Sequence, residues 1–258
     1  MKLQLKLTLF VAAFLMVFTG YSQETKETQQ GHINQNKFRQ LEDVLPTPNE
    51  QRTASGAPGK KYSQQKVDYV MDITLDDKNQ KIYGEESITY HNNSDDTLKY
   101  LWLQLDQNVR ARDSKTPDVS TSRVGTVATE AQFDSKYVSE GFDGGFKIQY
   151  VKAADGSDLT HVINSTMMRI DLPQPLASGG TFQFSIKWWY NINNYVDQGG
   201  RSGFEHFEDG NNNYIIAQFF PRLCVYDNVE GWQNKQFWGR SEFALEFGDY
   251  QVNITTPA

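Results

Sequence analysis

The clearest pattern in this chain is an alternation of apolar and polar residues that begins near position 65. From Val67 onward, apolar residues fall on every second position, with mostly acidic or small polar residues between them. Successive side chains of a β-strand point to opposite faces of the sheet, so this pattern predicts a strand with one buried face. The apolar set is Val67, Tyr69, Met71, Ile73 and Leu75.

Further segments of the same type follow, separated by short polar turns. Two come directly after the first, at 81–91 and 98–105, and the second of them carries apolar residues on both faces. Pro173 and Pro175 are predicted to end a strand that begins at Met167, since proline cannot donate to a ladder. The remaining predicted strands are 146–153, 160–163, 181–190, 242–247 and 250–255, with a hairpin at 204–214. Many short strands with regularly spaced turns predict an all-β fold, a twisted antiparallel saddle or sandwich.

The functional prediction depends on the apolar run Tyr214–Asp227. It opens as a β-type segment, Tyr214–Phe219, that holds one uncharged polar residue, Gln218, among hydrophobic residues. Pro221 then stops regular pairing. A polar side chain beside a strand-ending proline, at the end of a buried strand, is a place where a sheet can present a binding group. Gln218 is therefore the candidate binding residue.

The N-terminal residues 1–22 have the features of a secretory signal peptide. Lys2 and Lys6 precede an apolar run, Leu7–Phe18, which is too short for a comfortable membrane span. Small residues before position 23 predict cleavage after Ser22, and an uncleaved N-terminal anchor is the alternative. We expect an exported protein, periplasmic or secreted, with no membrane segment after signal cleavage.

The rest of the chain divides into a tail and one domain. Residues 23–64 are polar and include a stretch of Pro, Gly, Ser and Ala without periodicity, which predicts a flexible tail and linker. Residues 65–258 are predicted to form a single β domain. Its only cysteine, Cys224, lies in an apolar run and is predicted to be a buried, inert thiol. The net charge of −7 and the lack of a basic stripe argue against a nucleic-acid partner.

The sequence lacks the familiar catalytic and metal-binding motifs. None of the four histidines begins an H-E-x-x-H run, and no G-x-S-x-G, G-x-G-x-x-G or Walker motif is present. The nearest metal-type cluster is His206 with Glu205 and Glu208, in a predicted hairpin where adjacent side chains point to opposite faces. We therefore predict no catalytic residue, no metal ligand and no cofactor in this chain.

Aromatic residues give an alternative function. The segment Trp188–Tyr190 could stack on sugar rings, which would make the chain a free-standing secreted β-sandwich module that binds carbohydrate or protein. Adjacent residues of a strand face opposite ways, so packing in the core is the favoured interpretation of these rings.

Seven short segments, in a fixed order between Tyr69 and Ala258, carry a family resemblance. They are Tyr69–Leu75, Ile82–Glu86, Leu98–Asn108, Gly199–Phe204, Ile216–Arg222, Tyr226–Trp232 and Phe247–Thr255. Each segment is weak alone, but their order and spacing are fairly specific. Together they resemble the N-terminal domain of zinc aminopeptidases of the aminopeptidase N type, the gluzincins, in the secreted form of Bacteroidetes-like bacteria.

The resemblance implies a saddle of antiparallel strands that lies against a thermolysin-like catalytic domain. That domain carries H-E-x-x-H and a distant Glu ligand, follows directly in sequence, and would hold the zinc. On this basis the chain is an N-terminal fragment, inactive alone, of a zinc metallopeptidase that hydrolyses peptides. Its expected partners are its own downstream catalytic domain and a peptide substrate.

The resemblance also implies the substrate-binding residues. The saddle of this family carries a Gln-x-Glu or Gln-x-Gln run that helps to hold the first residue of the substrate and its α-amine. Gln218 matches the first position, and Phe219 is expected to shape the pocket wall. Phe220 occupies the second position, where the family has an acidic or amide side chain, so strict aminopeptidase specificity does not follow from the resemblance.

Overall fold

A computed structural model describes residues 48–119, 129–130, 141–240 and 243–257. The predicted signal peptide and residues 23–47 of the predicted tail lie outside the described residues. The last part of that tail, 48–64, makes a turn in which Glu50 pairs with Lys60 and Lys61. Within the described ranges, no helix has the length and apolar character needed to cross a bilayer.

Strands are the main regular structure of the described chain, and all of them are short or of moderate length. In chain order they are β1 (Lys66–Asp76), β2 (Lys81–His91), β3 (Leu98–Gln104), β4 (Lys147–Ala153), β5 (His161–Asn164), β6 (Met167–Leu176), β7 (Thr181–Asn191), β8 (Ser202–His206), β9 (Asn212–Ile216), β10 (Arg222–Leu223), β11 (Tyr226–Asp227), β12 (Gly231–Trp232) and β13 (Tyr250–Thr255). The helical elements are a 3-10 helix (Asp106–Arg110), α1 (Thr116–Val119) and α2 (Tyr195–Gln198).

The larger sheet has five strands in the order β13-β1-β2-β7-β4. The long strands β1, β2 and β7 pair antiparallel over their whole lengths, as their alternating sequences predict. β13 pairs with β1 in parallel, with Tyr69 beside Tyr250 and Ile73 beside Ile254. This sheet is therefore mixed, and β13 forms one of its edges.

The smaller sheet has four strands in the order β10-β3-β6-β5 and is antiparallel throughout. Two separate ribbons, β8–β9 and β11–β12, complete the strand pairing in the described residues. The ribbon β8–β9 is the predicted hairpin, and its turn at 207–211 is closed by a hydrogen bond from the Phe207 amide to the Asn211 carbonyl.

The core lies between the two sheets, where the inward faces of β1, β2 and β7 meet those of β3 and β6. Gly84 on β2 leaves the room that the ring of Trp188 on β7 occupies, because any Cβ at this position would overlap that ring. Phe146 packs edge-on against Trp188 and Tyr190. Cys224 is free and fully buried.

The prediction of an all-β sandwich is confirmed, with three local corrections. β6 continues through Pro173 and Pro175 to Leu176, because this part of the strand extends beyond its pairing with β5 and needs no donor on that side. Residues 243–247 form only a single bridge, at Phe247, instead of a strand. The strand predicted at Tyr214–Phe219 ends at Ile216, since the chain turns at Gln218.

Candidate functional site

The loop at 217–221 carries the predicted binding residue. It connects the hairpin strand β9 to β10, which pairs with β3 at the edge of the smaller sheet. Gln218 has a φ of 53°, in the left-handed region that non-glycine residues rarely adopt. A residue in this conformation is strained and persists only where its surroundings hold it, which is common at binding sites.

Two buried side chains hold the backbone of this loop. The Ser202 hydroxyl accepts a hydrogen bond from the Ala217 amide and donates one to the Ala217 carbonyl, each at 2.9 Å. Gln107 Nε2 donates to the carbonyls of Ala217 and Gln218, at 2.8 and 3.2 Å. The half-buried Gln218 side chain makes no hydrogen bond to any other described residue, so its amide can bind a ligand.

The elements below the loop are fixed by a buried ion pair. Arg222, at the start of β10, donates through Nε (3.0 Å) and Nη2 to Asp106 Oδ2, and through Nη2 to Gln104 Oε1. Burial raises the pKa of Asp106, although Arg222 acts in the opposite direction. Because Asp106 begins the 3-10 helix that contains Gln107, this pair ties the loop and its supporting residue to the same part of the smaller sheet.

Aromatic rings form the side of the site that faces β13. Phe219 and Phe220 contact each other edge-on, with ring centroids 5.0 Å apart. Phe220 also contacts Tyr69 at 5.5 Å and Tyr250 at 6.4 Å, and these two tyrosines stack on each other across the β1–β13 pair at 5.0 Å. The three predicted substrate-binding residues, Gln218, Phe219 and Phe220, are thus consecutive in one loop, and Phe220 links it to the edge of the larger sheet.

This edge exposes an apolar row on the core-side face of the sheet. Tyr250, Val252 and Ile254 of β13 lie beside Tyr69, Met71 and Ile73 of β1, which are 3%, 1% and 3% exposed. The β13 side chains are 46%, 40% and 64% exposed. Phe220 and Tyr69 contact the Tyr250 ring, but none of the three β13 side chains belongs to the buried core cluster. A contiguous exposed apolar row of this kind is typical of an interaction site.

The sequence comparisons found no matching family model and no matching curated protein. Among solved structures, the chain is similar to the M1 zinc metallopeptidase from Deinococcus radiodurans, with 12% identity and a TM-score of 0.38. A mutant of that enzyme bound to a Tyr-Ser-Ala substrate matches with 13% identity and a TM-score of 0.37. A two-domain M1 zinc metallopeptidase mutant bound to L-tryptophan matches with 14% identity and a TM-score of 0.37. Each match covers 78% of this chain and spans about a third, 34–35%, of the other protein.

The described residues do not fit a zinc ion. No group of three or more His, Cys, Asp or Glu side chains in the described ranges could hold a metal. His206, in the metal-type cluster considered from the sequence, instead makes a hydrogen bond through Nδ1 to Asn212 Oδ1 at 2.9 Å. Asn212 in turn donates to Asp77, which connects this hairpin to the β1–β2 turn.

The aromatic segment of the alternative function is mostly core. Trp188 and Tyr190 are 1% and 2% exposed, so neither ring can stack on a sugar. Trp189 points to the outer face of the larger sheet, where it lies near Tyr83 and under the Lys81 ammonium. Of these three residues, only Trp189 has a partly accessible ring.

Sequence reasoning missed the residues that support the site. Gln107 contacts residues 217 and 218 from 110 and 111 residues away in the chain, and Ser202 contacts Ala217 from 15 residues away. No local sequence pattern reports such contacts. One signal was available for Gln107: it lies in the polar run Asp106-Gln107-Asn108 directly after a buried strand, and all three residues are buried. A polar run that is buried must bond to something specific.

Proposed function

We propose that this chain is the N-terminal β domain of an exported zinc metallopeptidase of the aminopeptidase N type. In this proposal Gln218, Phe219 and Phe220 line the pocket for the first residue of a peptide substrate. The observation that carries it is the setting of Gln218, an amide without a partner in the described chain, on a strained and braced loop beside an uncovered apolar edge. The ordered sequence segments from Tyr69 onward are the reason for choosing this family.

The uncovered edge supports a second domain as partner. The row Tyr250, Val252 and Ile254 continues a core face beyond the point where the described residues bury it. Burial of apolar area is the main driving force for association between domains. The catalytic domain expected downstream is the proposed occupant, and it would place its cleft against the Gln218 loop.

The chemistry assigned to this chain is binding and orientation. An amide can donate to a substrate carbonyl through its NH₂ group and accept from a substrate N–H through its oxygen, and neighbouring phenyl rings can shape an apolar pocket. Gln218 cannot activate water, and the described residues do not fit zinc. In the proposed enzyme the zinc site would belong to the catalytic domain, and a zinc bound there would supply Lewis-acid chemistry and a water of lowered pKa.

The first test uses the chain itself. Purified chain is expected to give no chelator-sensitive cleavage of aminoacyl chromogenic substrates, whereas the protein that includes the zinc-bearing domain is expected to cleave them. Robust cleavage by the chain alone, abolished by a chelator, would contradict the assignment of all catalytic groups to another domain.

The second test concerns Gln218. In the zinc-bearing protein, Gln218→Ala removes one pair of hydrogen-bonding groups, so we expect kcat/KM for peptide substrates to fall about 10-fold. The matched control is Gln183→Ala, which removes an exposed glutamine on the outer face of β7 and should leave kcat/KM unchanged. Equal kinetics for Gln218→Ala and the wild-type protein would refute the role of this residue.

Export is part of the same proposal and rests on the N-terminal pattern of lysines and apolar residues. N-terminal sequencing of protein recovered from the periplasm or the medium is expected to begin at Gln23. Recovery of the intact N-terminus in the membrane fraction would favour the anchor instead.

A further inference from the structure

The position of Gln107 between the Gln218 loop and Arg110 assigns it a specific task. We infer that Gln107, oriented by Arg110, is a positioning residue that holds Gln218 in its left-handed conformation and so sets the direction of the Gln218 amide. The inference deepens the proposed function and rests on it, because Gln218 is the residue assigned there to the substrate. The brace, by which we mean the hydrogen bonds of Gln107 to residues 217–218 and to Arg110, forms in this chain without substrate.

The contacts of Gln107 are divided between its two amide atoms. Nε2 donates to the carbonyls of Ala217 and Gln218, at 2.8 and 3.2 Å, and lies 3.5 Å from the Ser202 hydroxyl. Oε1 accepts from Arg110 Nη1 at 3.1 Å. The side chain is 2% exposed, so water cannot replace these bonds. The two carbonyls flank the Gln218 backbone, so a donor that binds both restrains the turn.

Arg110 determines which way the Gln107 amide faces. A guanidinium can only donate, so the atom of Gln107 that faces it must be the oxygen, and the nitrogen must then face the loop carbonyls. Arg110 is half-buried, and this burial lowers the pKa of its guanidinium. Gly200 allows the approach, because a Cβ there would lie 2.7 Å from Arg110 Nη2.

The brace is anchored at its base by contacts on both sides of Gln107. Asp106 is bound by Arg222, and Asn108 donates to the Ser165 carbonyl at 2.7 Å and accepts from the Phe146 amide at 2.8 Å. A side chain whose neighbours are fixed in this way can impose a conformation on a loop instead of following it. The contact that holds Gln218 in its strained conformation is therefore the pair of hydrogen bonds from Gln107 Nε2.

The test reads the conformation of Gln218 directly, by NMR of the chain without substrate. Wild-type protein is expected to show one set of Gln218 side-chain NH₂ signals and the backbone couplings of a left-handed residue. Gln107→Glu keeps an acceptor for Arg110 but replaces the donor with a carboxylate that repels the loop carbonyls, and Gln107→Leu removes both contacts. In both variants we expect the left-handed couplings to be lost and the NH₂ signals to shift toward those of a freely moving glutamine.

Gln65→Leu is the matched control. Gln65 is also 2% exposed and also bonds to a turn, through the Asn93 amide and the Asn92 side chain, but it contacts a different part of the chain. This variant is expected to lose stability while the Gln218 signals stay unchanged. Arg110→Met is a milder variant, which leaves Gln107 in place. The Gln107 amide is then expected to adopt two orientations, and the Gln218 couplings and NH₂ signals are expected to change with it.

Unchanged Gln218 couplings and NH₂ signals in folded Gln107→Glu and Arg110→Met proteins would overturn the inference. If a Gln107 variant fails to fold, the Arg110→Met spectra decide whether the inference stands, because this variant keeps the Gln107 amide that donates to the loop carbonyls. The proposed function is tested separately by the kinetics of Gln218→Ala. A failure of the brace therefore appears in the NMR data even if that kinetic prediction holds, and the reverse is also true.

Discussion

The two neighbours of β1 in the larger sheet, β2 and β13, both carry apolar residues on the core-side face, but these residues differ strongly in exposure. Toward β2, the core face is covered by the smaller sheet, and Ile88 and Tyr90 are fully buried. Toward β13, the same face continues with Tyr250, Val252 and Ile254, which are 40–64% exposed. Alternating apolar residues thus identify a face that is built for burial, but they do not tell which chain buries it. The Gln218 loop lies at the boundary between the covered and the uncovered parts.

The largest expected effect comes from a pair of isoleucines that are neighbours in the sheet. Ile73 of β1 and Ile254 of β13 are paired in register on one face, but they are 3% and 64% exposed. Ile73→Ala should lower the free energy of unfolding by about 2–5 kcal/mol, because it leaves a cavity in the core. Ile254→Ala should change it by less than about 0.5 kcal/mol. Urea unfolding of the chain measures both, and equal losses would mean that β13 belongs to the covered core.

A second expected effect is a pH dependence of stability, which comes from Glu86 on the covered core face of β2. Glu86 faces the core from the middle of the larger sheet, is fully buried, and has no hydrogen-bond partner for either oxygen among the described residues. Desolvation raises the pKa of its carboxyl well above the usual value. The folded protein therefore favours protonated Glu86, and its contribution to stability is complete below the unfolded-state pKa and is lost as pH rises toward the folded-state pKa.

Glu86→Gln should remove this loss. Relative to wild type, its stability gain should be near zero at pH 4 and grow by about 1.4 kcal/mol per pH unit until the folded-state pKa is reached. Some pH dependence should remain, because burial also raises the pKa of Glu246 to about 7. The control is Glu85→Gln on the exposed face, where a hydrogen bond from Tyr150 lowers the pKa of Glu85, so its contribution is instead lost as pH falls. Unfolding measured from pH 4 to pH 8 tests this, and a pH-independent Glu86→Gln gain would contradict the assignment.

The smallest effect is expected at the boundary. Gln218→Gly removes the strain of a left-handed non-glycine residue, so the free energy of unfolding should rise by about 1 kcal/mol. Substrate use by the proposed zinc-bearing protein should fall. Ser165→Gly is the control, because Ser165 has a similar φ of 51° in the β5–β6 turn. It should stabilise the chain without any effect on substrate use. A stability loss in Gln218→Gly would mean that the side chain supports the fold.

The sequence predicted the long strands well because their information is local. β1, β2 and β7 follow from the alternation of residues such as Val67, Tyr69 and Met71, and the turns between them are polar. The parallel pairing of β13 with β1 could not be predicted, since the partners Tyr69 and Tyr250 are far apart in the chain and a parallel pair has no hairpin turn to signal it.

The binding role of the three site residues stays a prediction from the sequence. Gln218, Phe219 and Phe220 were named from one run of residues, and the structure finds them in one loop with Gln218 half-buried. The left-handed turn and the brace were not predicted, because the identity of Gln218 does not encode its φ and Gln107 bonds to it from a distant segment. Long-range polar contacts of this kind are visible only once the fold is known.

The most direct test of the central claim uses the single cysteine of the chain. Cys224 is buried, and desolvation raises the pKa of its thiol, so it should react slowly with thiol reagents and leave a low background. Ile254→Cys would place a reactive thiol on the uncovered face, and Gln251→Cys would place one on the opposite face of β13 as a control. We predict that Ile254→Cys reacts rapidly with a maleimide in this chain and at least 10-fold more slowly in the longer protein with the proposed zinc-bearing domain. Gln251→Cys should react equally in both. Equal rates for Ile254→Cys in the two proteins would contradict the account.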